Sequence, residues 1–403
     1  MGAARVHRLV RVAADFGTRA HAPTLDWAAV VARQHDIVER LRPGADTLEQ
    51  AGIRVYLGEA RLTEPGVVHV GGRKVRGERV VIAAGSAPVI PPFEGSELGL
   101  TSDDLLFLPE FPRSLVLVGA GAIGLEMAAT FNDFGTIVTV IGQDPEILPG
   151  FDPDVARYLR TILTQRGVTF HTPARVTALA GRRGDVTTRF LDGDAPREVR
   201  SSAVCLAVGR RFHPRSVGAD RLSLKVNHLG LVTDSYLRTS LPGVYAAGDA
   251  AGNRQLTTTA AYEGRIAAAN ALQGDNLASD LSVVPQVLFT TPEIARVGLT
   301  HRQAQERGVG CHVVTHDMRG ASNGVASGEE GGYVKLVFEG GTERLLGAQI
   351  VSYRAAELIQ LVGLAIRERT MAATLAAQLS IHPSHGERLI KVVGHDHHDV
   401  CEV

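Results

Sequence analysis

Cysteine is scarce in this chain. Only Cys205, Cys311 and Cys401 occur in 403 residues, far apart and with no CxxC or longer paired spacing among them. That leaves no framework of disulfides to staple a fold together. An excess of one charge is also lacking: 42 Lys and Arg face 43 Asp and Glu, the formal net charge is -1, and no Lys/Arg block occurs. Nucleic acid is therefore not expected as a partner. Long apolar runs are missing too, since none approaches the roughly 18 to 20 residues of a membrane span. The opening MGAARVHRLVRVAADFG carries arginines but no apolar signal core. A cytoplasmic protein with no membrane partner is the expectation.

What is present fits an α/β enzyme. Apolar residues make up 44%, charged residues 21%, and glycine occurs 44 times, a mixture unlike disordered or fibrous chains. The length suits two or three domains, each with its own core.

Residues 27 to 51 carry apolar positions at helical spacing, with Gly52 as a stop. Short β-rich runs follow, IRVYLGEARL, VVHVGG and RVVIAAG, the last an apolar strand of the kind buried in a parallel sheet. At 114 to 141, SLVLVGAGAIGLEMAATFNDFGTIVTVIG reads as strand, glycine turn, helix, glycine and strand, a complete βαβ unit. A helix (DPDVARYLRTILTQRG), a strand (VTFHTPARVTAL), a polar hairpin-like region and the strand SSAVCLAVGRR continue it. GVYAAGDAAG and TTTAAYEGRIAAANAL supply another strand and helix at 243 to 272, so two nucleotide-type patterns suggest a duplicated module. From about 281 the segments turn β-rich, and two helices close the chain.

The motif GAGAIG sets Gly119, Gly121 and Gly124 after an apolar strand, with Ala122 and Ile123 opening the helix. The first glycine permits the tight turn, the second lets backbone approach a pyrophosphate, and the third lets helix pack on strand. Helix N–H groups then face the phosphates. The second strand ends in Gly142, where an acidic residue would normally hold the ribose of NAD. Asp144 stands nearby and no arginine immediately follows, so NAD and NADP both stay open, with a lean to NADH.

Together with RVVIAAGSAPVIPPFEG before this unit and GVYAAGDAAG after it, the chain resembles the FAD-dependent pyridine nucleotide-disulfide oxidoreductases, in the dihydrolipoamide dehydrogenase, mercuric reductase and glutathione reductase branch. PQVLFTTPEIARVGLT and GYVKLVFE are similar to that family's dimerisation segment. The resemblance implies a two-domain FAD/NAD(P)-binding Rossmann-like fold plus a C-terminal α+β dimerisation domain. An FAD-binding domain is expected at 1–112 and 234–279, an NAD(P)-binding domain at 113–233, and an interface domain at 280–403 of a homodimer.

The implied activity is hydride transfer from NAD(P)H to FAD and on to a small-molecule or disulfide acceptor. Implied cofactor contacts are Ala60, Gly85 and Ser86 in AAGSAP, Val176, Gly209 with Arg210, Asp249 for the ribityl hydroxyls, and the helix from Thr257. Glu126 is expected near the nicotinamide. In IHPSHGE, the resemblance makes His382 an acid/base lent to the partner's active site and Glu387 the group that orients it.

Segments that the family places first, a GxGxxG for FAD and a CxxxxC redox pair with a nearby lysine, do not occur here. The chain is expected to begin just after them, as a shortened version of a complete enzyme, with a natural short form as the other explanation. The loss is expected to open a slot in the FAD-side sheet and to put disulfide reduction in doubt. A non-catalytic dimeric NAD(P)-binding remnant is the alternative function. Two lesser readings are a hydrolase, with Ser322 in GASNG but no helix expected after it, and a metal-binding tail offering His395, His397, His398 and Cys401.

Overall fold

The computed structural model describes residues 1–320, 322–329, 331–393 and 398–400. Contacts divide the chain into two compact units. One comprises Met1–Trp27, Ile90–Val208 and Ser282–Val403, the other Ala28–Val89 and Gly209–Leu281.

The first unit contains a four-stranded parallel sheet in the order Ala203–Leu206, Ser114–Val118, Ile137–Ile141, Thr169–His171. Its central strands are mainly apolar because the sheet is covered, and Leu115, Val116, Leu117, Val138 and Val140 are almost wholly buried. The Ala122–Phe134 helix crosses over between the first pair of these strands in sequence and stops at Gly135, whose φ of 99° only glycine adopts readily. Gly2–Arg11 forms a helix that packs against it.

The segment expected as a single strand, VTFHTPARVTAL, divides at Pro173. Thr169–His171 joins the parallel sheet, and Ala174–Arg182 joins a three-stranded antiparallel meander with Asp185–Asp192 and Ala195–Ser201. Proline has no N–H to continue a ladder.

The rest of this unit is an antiparallel sheet, ordered Gln286–Leu288, Glu293–Gly298, Leu345–Ser352, Tyr333–Glu339, Cys311–Asp317, His398–Val400. The Ala355–Arg367 helix covers it through Leu358, Ile359 and Val362, over Val297, Leu336 and Ile350. Asp152 ties the nucleotide-type half to this sheet. It is the residue before the Pro153–Gln165 helix, buried, and it accepts from Gln349 Nε2 at 2.5 Å and pairs with Lys335 at 3.2 Å. Burial works against its charge but is outweighed by Lys335 and the backbone N–H groups of Arg302 and His301, so its acidity ends up stronger than usual.

The second unit has a meander of Ala60–Glu64, Val67–Val70 and Arg73–Arg76, a parallel pair of Val244–Ala246 with Val80–Ile82, and the Thr257–Gln273 helix. Helical spacing over 27 to 51 resolves into Trp27–Leu41 and Ala45–Gln50, separated at the turn that holds Pro43. The expected strand IRVYLGEARL is strand only from Ala60. Ile53 and Leu57 before it are exposed, and Gly58 turns the chain at a φ of 140°. The sequence reading set a domain boundary at 233, whereas contacts group residues 209–233 with the second unit, whose core Phe212, Ala219, Leu224 and Leu231 fill.

Candidate functional site

The candidate residues fall into three constellations. The first is the glycine turn. A Cβ on Gly119 would lie 2.3 Å from the Ala207 carbonyl oxygen, and one on Gly124 would lie 2.0 Å from that of Gly119. Both positions are closed to any side chain, because strand, turn and helix touch there. Gly121 differs, since a Cβ there would meet nothing within 4 Å. The turn therefore has an open face at its central glycine, beside the first helical residues Ala122 and Ile123, which have no side-chain cap. Those free N–H groups suit a pyrophosphate.

Gly142 ends the second strand and is closed as well, since its Cβ would sit 2.7 Å from that of Ala120. This explains why no acidic residue stands there, while Gln143 and Asp144 beyond it are exposed. Glu126 is half-buried on the helix and accepts the Phe289 N–H at 2.9 Å. Burial pushes its carboxyl above the usual range, with that hydrogen bond opposing. Val176 lies in the core with Val116, Val118 and Ile141.

The second constellation lies in the other unit. Ser86 Oγ donates to Asp249 Oδ2 at 2.6 Å and accepts from Arg210 Nε at 3.1 Å, while Arg210 Nη2 donates to the Ser86 carbonyl at 2.7 Å. Gly85 and Gly209, with φ of 68° and 115°, turn the chain just before Ser86 and Arg210 so that they meet. Asp249 sits in a one-turn 3-10 segment, Gly248–Ala250, after the strand Val244–Ala246. Ala60 opens its strand and is exposed.

Thr257 begins its helix without a side-chain cap, and Thr259 Oγ1, two residues on, is buried with no hydrogen-bond partner among the described residues. Sequence reasoning missed Glu263. Its fully buried carboxylate accepts the Gly248 N–H at 2.8 Å and Asn253 Nδ2 at 2.9 Å, fixing the turn that carries Asp249. Burial raises its pKa and favours the neutral form, with those hydrogen bonds opposing. Its one sequence signal is an acid on an apolar helix face.

The third constellation is the terminal pair, and the structure brings it together as read. His382 Nδ1 lies 2.8 Å and 3.0 Å from the two carboxylate oxygens of Glu387. The Glu387 side chain is 3% exposed and the His382 side chain 66%. Ser384 Oγ accepts the Glu387 N–H at 3.0 Å and holds the start of the His385–Val393 helix. With Nδ1 engaged, Nε2 is the ring nitrogen left to exchange a proton. Sequence reasoning missed Lys391, one turn along the helix, whose ammonium also binds Glu387 Oε1. The hydrogen bond from Lys391, with burial opposing and His382 assisting, brings the Glu387 carboxyl down to about 2. The i,i+4 Glu-to-Lys spacing was the available signal.

The structure bears on the first of the lesser readings. A helix does follow the strand before Ser322, namely Ser322–Ser327, contrary to expectation, and Gly328 at a φ of 66° ends it. Yet Ser322 is exposed and its hydroxyl accepts from Arg388 at 3.2 Å, with no histidine hydrogen-bonded to it among the described residues. His395, His397 and Cys401 lie outside the described residues, as does the side chain of His398. Among the described residues no group of His, Cys, Asp and Glu is disposed to hold a metal. Cys205 and Cys311 are buried, and burial pushes the Cys205 thiol up to about 12, which disfavours a thiolate there. No described helix is long and apolar enough to cross a membrane.

Comparison with known proteins agrees with this geometry. Residues 6–264 match the pyridine nucleotide-disulphide oxidoreductase family and residues 284–393 match that family's dimerisation domain. A glutathione reductase of Burkholderia cepacia is 32% identical over 94% of this chain and 84% of its own length. A dihydrolipoyl dehydrogenase of Geobacillus stearothermophilus is 31% identical over 93% and 81%. The HOCl-induced flavoprotein disulfide reductase RclA of Escherichia coli superposes with a TM-score of 0.83 at 28% identity, covering 92% of this chain and 86% of its own. The dimerisation match supports a homodimer. The chain is thus a member of the pyridine nucleotide-disulphide oxidoreductases, flavin-dependent enzymes that use FAD and NAD(P)H.

Proposed function

We propose that this chain oxidises NAD(P)H through FAD, that the electrons pass to a small-molecule or disulfide-type acceptor, and that His382 with Glu387 manages the acceptor's proton. The observation that carries this reading is the pairing of His382 Nδ1 with a buried Glu387 carboxylate, which fixes the ring while its side chain stays largely exposed. A nucleotide-binding remnant without acid/base chemistry has no use for that arrangement.

The residues present fit both cofactors. Gly121 leaves room for backbone approach to a dinucleotide, with the helix from Ala122 supplying N–H donors. Asp249, anchored by Ser86 through one oxygen, would hold FAD's hydroxyl groups with the other, and the uncapped helix at Thr257, with the buried Thr259 hydroxyl in its first turn, would meet a polar ring edge. FAD, when bound, accepts two electrons from the nicotinamide and passes them on. Arg210 and Ser86 orient Asp249, Glu263 holds its turn, and Glu126 lends a carboxyl to the nicotinamide end.

The remaining contacts proposed for the cofactors are Ala60, Gly85, Gly119, Gly124, Gly142, Val176 and Gly209. The domain bounds proposed are those of the sequence reading, with 209–233 shared in packing with the flavin side. The cytoplasm is the proposed compartment, supported by the enzyme relatives.

The test is the visible spectrum of the purified protein incubated with FAD, before and after anaerobic NADH or NADPH. A retained flavin band that bleaches with either nucleotide is expected. A protein that retains no flavin, or whose bound flavin stays oxidised, overturns the reading.

A further inference from the structure

At the opposite end of the Ala122–Phe134 helix from the glycine turn lies a cavity of about 430 Å³. Three arginines line it, Arg8 and Arg11 from the Gly2–Arg11 helix and Arg166 directly after the Pro153–Gln165 helix. Among the described residues of its wall, Asp133 is the one acid. That carboxylate is already taken. Its side chain is 4% exposed, is bound by the Arg166 guanidinium, and accepts Thr291 Oγ1 at 3.0 Å. Arg166 also donates to the Thr291 carbonyl.

Arg8 and Arg11 have no such arrangement. Neither side chain makes a hydrogen bond or ion pair among the described residues, and Asp133 acts on Arg8 only as a more distant charge. Arg8 Nε is buried without a hydrogen-bond partner, and a donor left unmade in this way costs stability. Arg11 Nη1 lies over the next turn, 3.7 Å from where a Cβ on Gly135 would stand. Three residues apart on one helix face, the two guanidiniums are neighbours of like charge, a destabilising pair unless an anion lies between them. Helix C-termini attract cations, and three helices end here. Each end amounts to about half a charge, however, so together they fall short of two whole guanidiniums. Nor are the arginines needed as caps. Gly135 N–H donates to the Asn132 carbonyl and Thr136 N–H to that of Phe131, both at 2.9 Å, while Gly167 and Val168 do the same for Thr164 and Leu163.

We propose that this cavity binds the phosphate group of a small phosphorylated molecule, gripped by the Arg8 and Arg11 guanidiniums, with Arg166 adding a third positive charge. A guanidinium fork matches phosphate oxygens in pairs, and a bound dianion removes the repulsion between the two arginines. The volume lies in the range of sites for small organic ligands, with room for more than a bare phosphate ion. The length of the 13-residue helix, roughly 20 Å, separates this cavity from the dinucleotide turn. The site therefore stands apart from the redox chemistry proposed above.

Isothermal titration calorimetry of the full chain with glycerol 3-phosphate, at ionic strength fixed with sodium chloride, is the test. The parent is expected to bind with a Kd below about 1 mM, and R8M and R11M each to weaken binding roughly tenfold, the worth of a charge-assisted hydrogen bond. Arg11 is exposed, so R11M is expected to keep the parent's melting temperature in the absence of ligand. Two controls are expected to bind like the parent: R307M, which removes an exposed arginine outside the cavity, and G121V, which fills the dinucleotide turn. Inorganic phosphate is expected to bind more weakly than the ester. Absence of binding in the parent, or parental affinity in both R8M and R11M, overturns the proposal. So does a loss in G121V that R11M does not share, which places the phosphate at the glycine turn, or tighter binding of inorganic phosphate than of the ester.

Discussion

Ser86 donates its hydroxyl hydrogen to Asp249 at 2.6 Å across 163 residues of chain, and the same oxygen takes a hydrogen from Arg210. The Asp249 carboxylate is thus aimed before any ligand arrives. S86A is expected to keep the fold and to weaken FAD retention roughly tenfold, the worth of a charge-assisted hydrogen bond. Flavin content after dialysis, measured by absorbance, checks it. Unchanged retention would mean Asp249 needs no such anchor.

The three glycines of the turn are expected to fail in different ways. G124A forces a methyl against the Gly119 carbonyl and is expected to cost about 1–3 kcal/mol of stability, the range for overpacking. G121V fills open space, so its melting temperature is expected to match the parent while NADH binding is lost. Thermal melts paired with NADH fluorescence titrations separate the two. Equal melting losses would refute the distinction.

Much of this was legible because local chemistry and tertiary role coincide. Apolar 114–118, the glycines at 119 and 124, and the small residue forced at 142 each answer to a contact within one βαβ unit. His382 and Glu387 lie five residues apart, so their meeting needs only one turn of chain. Glu263 and Lys335 were illegible for the opposite reason. Each is a charged residue in an apolar stretch whose partner, Gly248 or Asp152, is supplied by distant topology. The division at Pro173 was signalled by the missing N–H, and the reading ran through it.

Buried charge makes the link between Lys335 and Asp152 unforgiving. Their side chains are 7% and 2% exposed. K335M is expected to destabilise the protein by about 3 kcal/mol, because it strands a buried carboxylate. Urea denaturation, followed by fluorescence of Trp27 in the same unit, measures this. A loss under 1 kcal/mol would show that Gln349 and the backbone donors suffice.

Acid stability carries a sign that Glu387 sets. Its folded pKa lies below the ordinary value near 4.5, at about 2, chiefly through Lys391. Its contribution is therefore fully present above about pH 4.5 and lost as pH falls toward about 2. The difference in melting temperature between parent and E387Q is expected to shrink as pH falls below 4.5. A constant difference down to pH 3 would contradict the depressed value.

Synthesis runs from the N-terminus, and the Asp152 network has an awkward order in that respect. Gln349 follows Asp152 by 197 residues, which at ribosomal speeds means roughly ten to forty seconds of translation. Through that interval the nucleotide-type sheet has emerged while its carboxylate waits in water for its amide and ammonium. The first unit therefore closes only as the last quarter of the chain leaves the ribosome, and its assembly is a late event in the life of the nascent polypeptide.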